Sequence, residues 1–160
     1  MQESSIRNNL LRVIDDKRDE CVQFLQELVR IPSVMLTDGE KIAQEFISKK
    51  MQSIGFFVDM WETDWDELKN AKSKTTGQSL YVPVETWIPD YKGLKNRPNV
   101  VGVQRGKGDG RSLLLNGHID VVPPGAVEKW KHDPWGAHIE DGLLYGRGAV
   151  DMKAGVAAMM

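Results

Sequence analysis

The stretch Leu113-Leu114-Leu115-Asn116-Gly117-His118-Ile119-Asp120-Val121-Val122-Pro123-Pro124 decides how the chain is read. Three consecutive leucines leave no polar face, so a strand over residues 112–116 needs cover on both sides. That is the pattern of a central strand in a helix-flanked sheet. The run turns polar at its carboxyl end, where open α/β sheets bind their ligands. His118 and Asp120 are two apart, so in an extended chain both side chains leave one face. One ring nitrogen of such a histidine can bind a metal while the carboxylate holds the other N–H and fixes the tautomer. The plainer reading is a local hydrogen bond at a strand end, and this pair alone does not separate the two.

A second stretch, Gly146-Arg147-Gly148-Ala149-Val150-Asp151-Met152-Lys153-Ala154-Gly155, places Asp151 where a helix begins. Asp at that position commonly caps the helix by accepting backbone N–H bonds and does nothing more. Taken with His118, it offers a carboxylate from a separate segment, and two oxygens with which to bridge two divalent ions. Arg147 and Lys153 are close enough in sequence to touch a substrate carboxylate.

The elements around these stretches follow from periodicity. Residues 4–30 read as helix, in two pieces around Asp15–Asp19, with Cys21, Phe24, Leu25, Leu28 and Val29 as its apolar stripe; Ile31-Pro32-Ser33 stops it. A second helix is expected from Asp38, as cap, to Ile54, burying Ile42, Phe46, Ile47, Met51 and Ile54, with Gly55 at its end. Phe56–Trp61 reads as a strand. Residues 62–98, which include Tyr81, Trp87 and Tyr91, lack periodicity and read as an irregular insertion with one short helix near 64–71. Asn99–Gln104 and Ser112–Asn116 are expected to pair as a hairpin through Gly106–Gly110. A second hairpin is expected for His138–Glu140 and Leu143–Tyr145 around Asp141-Gly142. From Met152 the chain reads as helix and then stops without a cap, so the sequence reads as an N-terminal piece.

Composition narrows the function classes. The 160 residues carry 21 Lys plus Arg against 23 Asp plus Glu, a formal net charge of -2. That balance offers no general attraction to nucleic acid or to anionic membrane surfaces. The acidic N-terminus has no signal-peptide core, and no segment reaches the roughly 20 apolar residues of a membrane span. The single cysteine, Cys21, excludes a disulfide framework and a cysteine-rich zinc site, and it reads as a small buried hydrophobe in its helix stripe. A cytoplasmic location is expected. His132 and His138 are assigned no metal role, Trp130 and Trp135 read as loop-packing anchors, and the absence of Gly-x-Ser-x-Gly removes the commonest serine-hydrolase reading.

The two glycine-bearing stretches, Gly117–Pro123 and Gly146–Gly155, resemble the signatures of the zinc-dependent aminoacylase and carboxypeptidase family, which includes acetylornithine deacetylase and succinyl-diaminopimelate desuccinylase. Leu28–Ser33, Arg97–Gly102, Trp130 and Asp133-Pro134 match in order and spacing, and Ala154 stands where many members carry glycine. The resemblance implies an α/β, zinc-exopeptidase-like fold: a helix-flanked, mixed and largely parallel twisted sheet, incomplete at its C-terminus. It implies that His118 ligates one metal ion, that Asp151 bridges two, and that Asp120 orients His118 as part of the catalytic machinery. The cofactor would be two divalent ions, zinc first and cobalt as the alternative. The partner would be a small N-acyl substrate, whose amide bond is hydrolysed by attack of a metal-bridging water. A cis peptide at Asp151–Met152 is expected on the same ground. Residues 1–160 would be the N-terminal part of the catalytic domain, inactive alone, with the full-length protein a homodimer. The rival class is a non-catalytic binding relative that keeps the fold.

Overall fold

The computed structural model describes residues 2–83 and 95–160. Trp87 and Tyr91 of the expected insertion lie outside the described residues. The chain forms two compact units, one from residues 1–32 with 114–160 and the other from residues 33–113.

In the first unit, helices α1 (Gln2–Asp16) and α2 (Arg18–Val29) form the two pieces expected, broken at Lys17. The stripe of α2 is buried at Phe24, Leu28 and Val29, while Cys21 is half-buried, its Sγ 3.5 Å from the Ala157 carbonyl oxygen. Val29 forms a core cluster with Ala137 and Ala149, and Leu25 and Leu144 pack against it. The hairpin of β3 (His138–Glu140) and β4 (Leu143–Tyr145) is antiparallel, as expected. Its turn residues Asp141 and Gly142 have φ of 53° and 77°, the doubly left-handed turn that matches the twist of two adjoining strands. Past a kinked turn at Ala149–Lys153 the chain enters α5 (Ala154–Met159).

In the second unit, α3 (Gly39–Ser53) packs against β1 (Phe57–Glu62) and β2 (Pro98–Val103). Its buried face is centred on Ala43, Ile47 and Ser48, and Ile42 is 55% exposed, which corrects the expected stripe by one position. Small Ala43 and Ser48 permit the closest approach, so the helix turns them inward at the expense of a larger neighbour. Asp38 makes no side-chain capping bond. Thr37 Oγ1 instead accepts from the Gly39 N–H at 3.2 Å, and the Glu40 carboxylate accepts from the Leu36 N–H ahead of the helix.

The partner of β2 is also corrected. It pairs antiparallel with β1, with Phe57 opposite Val103 and Glu62 opposite Pro98. Residues 63–97 therefore leave and return at one point of a two-stranded ladder. They carry α4 (Trp65–Asn70), capped by Asp64 Oδ1, which accepts from the N–H groups of Asp66 and Glu67 at 2.9 Å each. Ser112–Asn116 forms no strand and pairs with none among the described residues, and Leu113 and Leu114 are 83% and 86% exposed. A strand needs a neighbour to take its ladder bonds, and the turn-rich Gly106–Gly110 segment does not bring β2 to it. Both two-stranded sheets of the described residues are antiparallel, so the α/β class is observed without the parallel pairing. No helix among the described residues is long and apolar enough to cross a membrane.

Candidate metal centre

Residues 118–121 alternate in burial. Ile119 and Val121 are 6% and 3% exposed, and they turn His118 and Asp120 outward to the opposite side. This is the period-two geometry of an extended chain, with two apolar residues anchoring two polar ones. His118 and Asp120 line an open cavity of about 290 Å³ together with Val122, Arg147, Val150 and Asp151.

Glycines permit the close approach of the two segments. A Cβ on Gly117 would lie 3.1 Å from Met152 Cε and 3.2 Å from Val156 Cγ2. Gly148 has φ +79°, and a Cβ there would stand 2.2 Å from Val121 Cγ1. The segment before the cavity and the turn after it are thus held against each other where larger residues do not fit. The His118 backbone N–H points at Met152 Sδ, 3.4 Å away.

His118 Nε2 lies 3.0 Å from Asp151 Oδ1, although the two residues are 33 positions apart. Nδ1 lies 3.2 Å from Asp120 Oδ1 and 3.0 Å from the Asp120 carbonyl oxygen. Asp151 makes no helix-capping bond among the described residues, and φ −123°, ψ 99° place it outside helical geometry. The Asp151–Met152 peptide is cis. Both ring nitrogens therefore face acceptors, and a neutral imidazole has one N–H to give. A proton or a cation between Nε2 and Asp151 would satisfy both groups. Burial pulls the His118 pKa down, but the hydrogen bond to Asp151 and the charge and carbonyl of Asp120 outweigh it, leaving the pKa raised.

The donor set fits a borderline divalent ion. Imidazole nitrogen and carboxylate oxygen are zinc ligands, and two such atoms on one tetrahedral ion stand about 3.4 Å apart. The observed 3.0 Å differs by a small side-chain rotation. Asp120, behind the ring, is placed to accept Nδ1–H and leave the Nε2 lone pair toward Asp151.

Two neighbours have different fates. Arg147 lines the cavity, with its guanidinium carbon 5.2 Å from the ring centroid of Trp130. Trp130 is held in turn by donating Nε1–H to the Pro124 carbonyl at 3.0 Å, the packing anchor expected of it. Lys153 is fully buried, and its ammonium donates to the carbonyls of Leu28 at 3.0 Å and Ile31 at 2.8 Å. The expected contact of Lys153 with substrate is therefore corrected. The ammonium thus ties the Leu28 carbonyl, in the last turn of α2, to the Ile31 carbonyl just beyond the helix. No local signal distinguishes such a lysine from an exposed one. His132 and His138 lie outside the cavity and gather with Glu140.

Comparison with known proteins gives the same direction. Residues 114–160 match the model of peptidase family M20/M25/M40. Succinyl-diaminopimelate desuccinylase of Methylocella silvestris is 35% identical over 145 residues, 91% of this chain and 30% of that protein. The Ehrlichia chaffeensis protein of the same name is 36% identical over 135 residues, 84% of this chain and 27% of that protein. The crystal structure of human carnosine dipeptidase 1 superposes with a TM-score of 0.62 at 23% identity, covering 95% of this chain and 31% of that one, a likeness of fold. The chain thus spans under a third of the length of these relatives.

Proposed function

The chain belongs to peptidase family M20/M25/M40, and from that premise we propose that it forms the N-terminal part of the catalytic domain of a metal-dependent amide hydrolase. The substrate class is an N-acyl amino acid, a small N-acyl amine or a short peptide. The meeting of His118 Nε2 and Asp151 Oδ1 carries the reading. A desuccinylase and a dipeptidase among the relatives support the substrate class.

In this reading His118 and Asp151 would supply an imidazole and a carboxylate ligand toward two divalent ions, zinc or alternatively cobalt. When bound, the metal supplies Lewis acidity for a carbonyl and lowers the pKa of water toward about 7. Asp120 accepts Nδ1–H of His118, fixing the tautomer and raising the basicity of Nε2. Arg147, on the cavity wall, is placed to receive a substrate carboxylate. In the whole protein Leu113–Leu115 would become a central strand of a helix-flanked, largely parallel twisted sheet. Their exposure supports this, because such a run is stable in water only when covered. The whole protein is proposed to act as a homodimer.

The test is hydrolysis of N-succinyl and N-acetyl amino acids and of dipeptides by the whole protein loaded with zinc or cobalt. Turnover should vanish with chelation, return with metal, and be absent in His118→Ala. Residues 1–160 alone should not turn over, since one imidazole and one shared carboxylate leave two ions short of ligands. Turnover indifferent to chelator or to His118→Ala would end the proposal. Metal and substrate binding without turnover would instead identify a non-catalytic relative.

A further inference from the structure

We propose that His132, His138 and Glu140 form a further divalent-cation site, of the kind that takes zinc or copper(II), apart from the His118–Asp151 cavity. Two ring nitrogens and one carboxylate oxygen of these residues all lie within 4.8 Å of one another. None of the three lines the cavity.

The hairpin accounts for the cluster. His138 and Glu140 are two apart in β3 and share a face, and His138 stands opposite Tyr145 of β4. His132 arrives from the preceding loop and lies over that face. Its ring stacks on His138 at 4.1 Å and 29°, and meets Tyr145 edge-on at 4.8 Å. Its Nε2 is 3.2 Å from Glu140 Oε2.

Two nitrogens and one oxygen suit zinc or copper(II) and are too few hard oxygens for calcium or magnesium. Ligand atoms on one tetrahedral ion stand about 3.4 Å apart. Exposed His138 closes the difference by side-chain rotation. Lys131, whose exposed ammonium hydrogen-bonds the same Glu140 oxygen, is the cation now in place, and a metal ion would displace it. The bound ion would clasp the loop at residues 131–132 onto the hairpin.

The test titrates zinc into the 160-residue chain carrying His118→Ala and Asp151→Asn, followed by calorimetry and by histidine ring NMR. The chain has 3 histidines, so His132 and His138 are then the remaining two. One zinc per chain is expected, with a dissociation constant on the order of 10 μM, and both ring signals should move on binding. His132→Ala or His138→Ala should weaken it by about tenfold or more. Lys131→Met should tighten it, and a gain of affinity cannot arise from misfolding. Absence of saturable binding in that background, ring signals that stay put, affinity unmoved by either histidine variant, or weaker binding in Lys131→Met would each overturn the site.

Discussion

Replacing Lys153 with Met removes the ammonium while keeping much of the side-chain volume, and it isolates one term in the stability of the first unit. The Lys153 ammonium is fully buried between the carbonyls of Leu28 and Ile31, at 3.0 and 2.8 Å. Burial lowers its pKa from 10.5 to about 8. In the window between those values the unfolded chain holds a proton that the folded chain has released. Stability therefore rises with pH across that window and is lost again as pH falls through about 8. At 1.36 kcal/mol per unit the full span is worth roughly 3 kcal/mol, a large share of a domain's typical 5–15 kcal/mol. The neutral amine keeps two N–H groups, so both carbonyls stay paired above the window. The assay is urea unfolding of the wild-type chain and Lys153→Met at steps from pH 7 to about 11, taking the difference at each pH so that surface groups cancel. The wild type should gain on the variant by roughly 3 kcal/mol through the window. A difference independent of pH would refute the burial argument, and a wild type that loses ground would reverse its sign.

Gly148→Ala meets Val121 Cγ1 at 2.2 Å and an unfavourable φ of +79°, so it should cost on the order of 3 kcal/mol in chemical denaturation. Adding Val121→Ala should recover part of that, and no recovery would show that the clash is not what limits this position. Asp120→Ala should weaken zinc binding at His118 by about 10–100-fold, and in the whole protein depress turnover even when metal is saturating, whereas His118→Ala should remove the metal outright. Equal metal affinity in Asp120→Ala and wild type would remove its orienting role. Zinc must displace the proton that Asp151 and Asp120 help His118 retain, so affinity at this pair should fall as pH drops through the raised His118 pKa; pH-independent affinity between pH 5 and about 8 contradicts this. Asp64→Ala removes two capping bonds from exposed α4 and should cost about 1 kcal/mol, read as loss of amide protection in residues 65–70.

What could be read from residue order is mostly what near neighbours decide. The two pieces of residues 2–29, the stop before Pro32, the β3–β4 turn at Asp141-Gly142 and the short helix behind Asp64 all come from local signals. The pairing of His118 with Asp120 on one face needed only the two-residue period of an extended chain. The exposed side of Ile42 was missed because a stripe of apolar residues has a width, and the small residues Ala43 and Ser48 settle which edge is covered. The partner of β2 was missed because the turn-rich Gly106–Gly110 offered a nearer candidate than β1, which lies beyond residues 63–97.

The amino-acid order by itself determined the helices, the hairpin, the family signatures and the two segments that hold the candidate site. Only the tertiary structure decided that Asp151 reaches His118 instead of capping a helix, that the Lys153 ammonium joins the Leu28 and Ile31 carbonyls, and that His132 and His138 meet Glu140. The reason is range. Propensity and periodicity act over a few residues, whereas a carboxylate, an ammonium or an imidazole takes its role from whichever distant groups share its low-dielectric surroundings once the chain has folded.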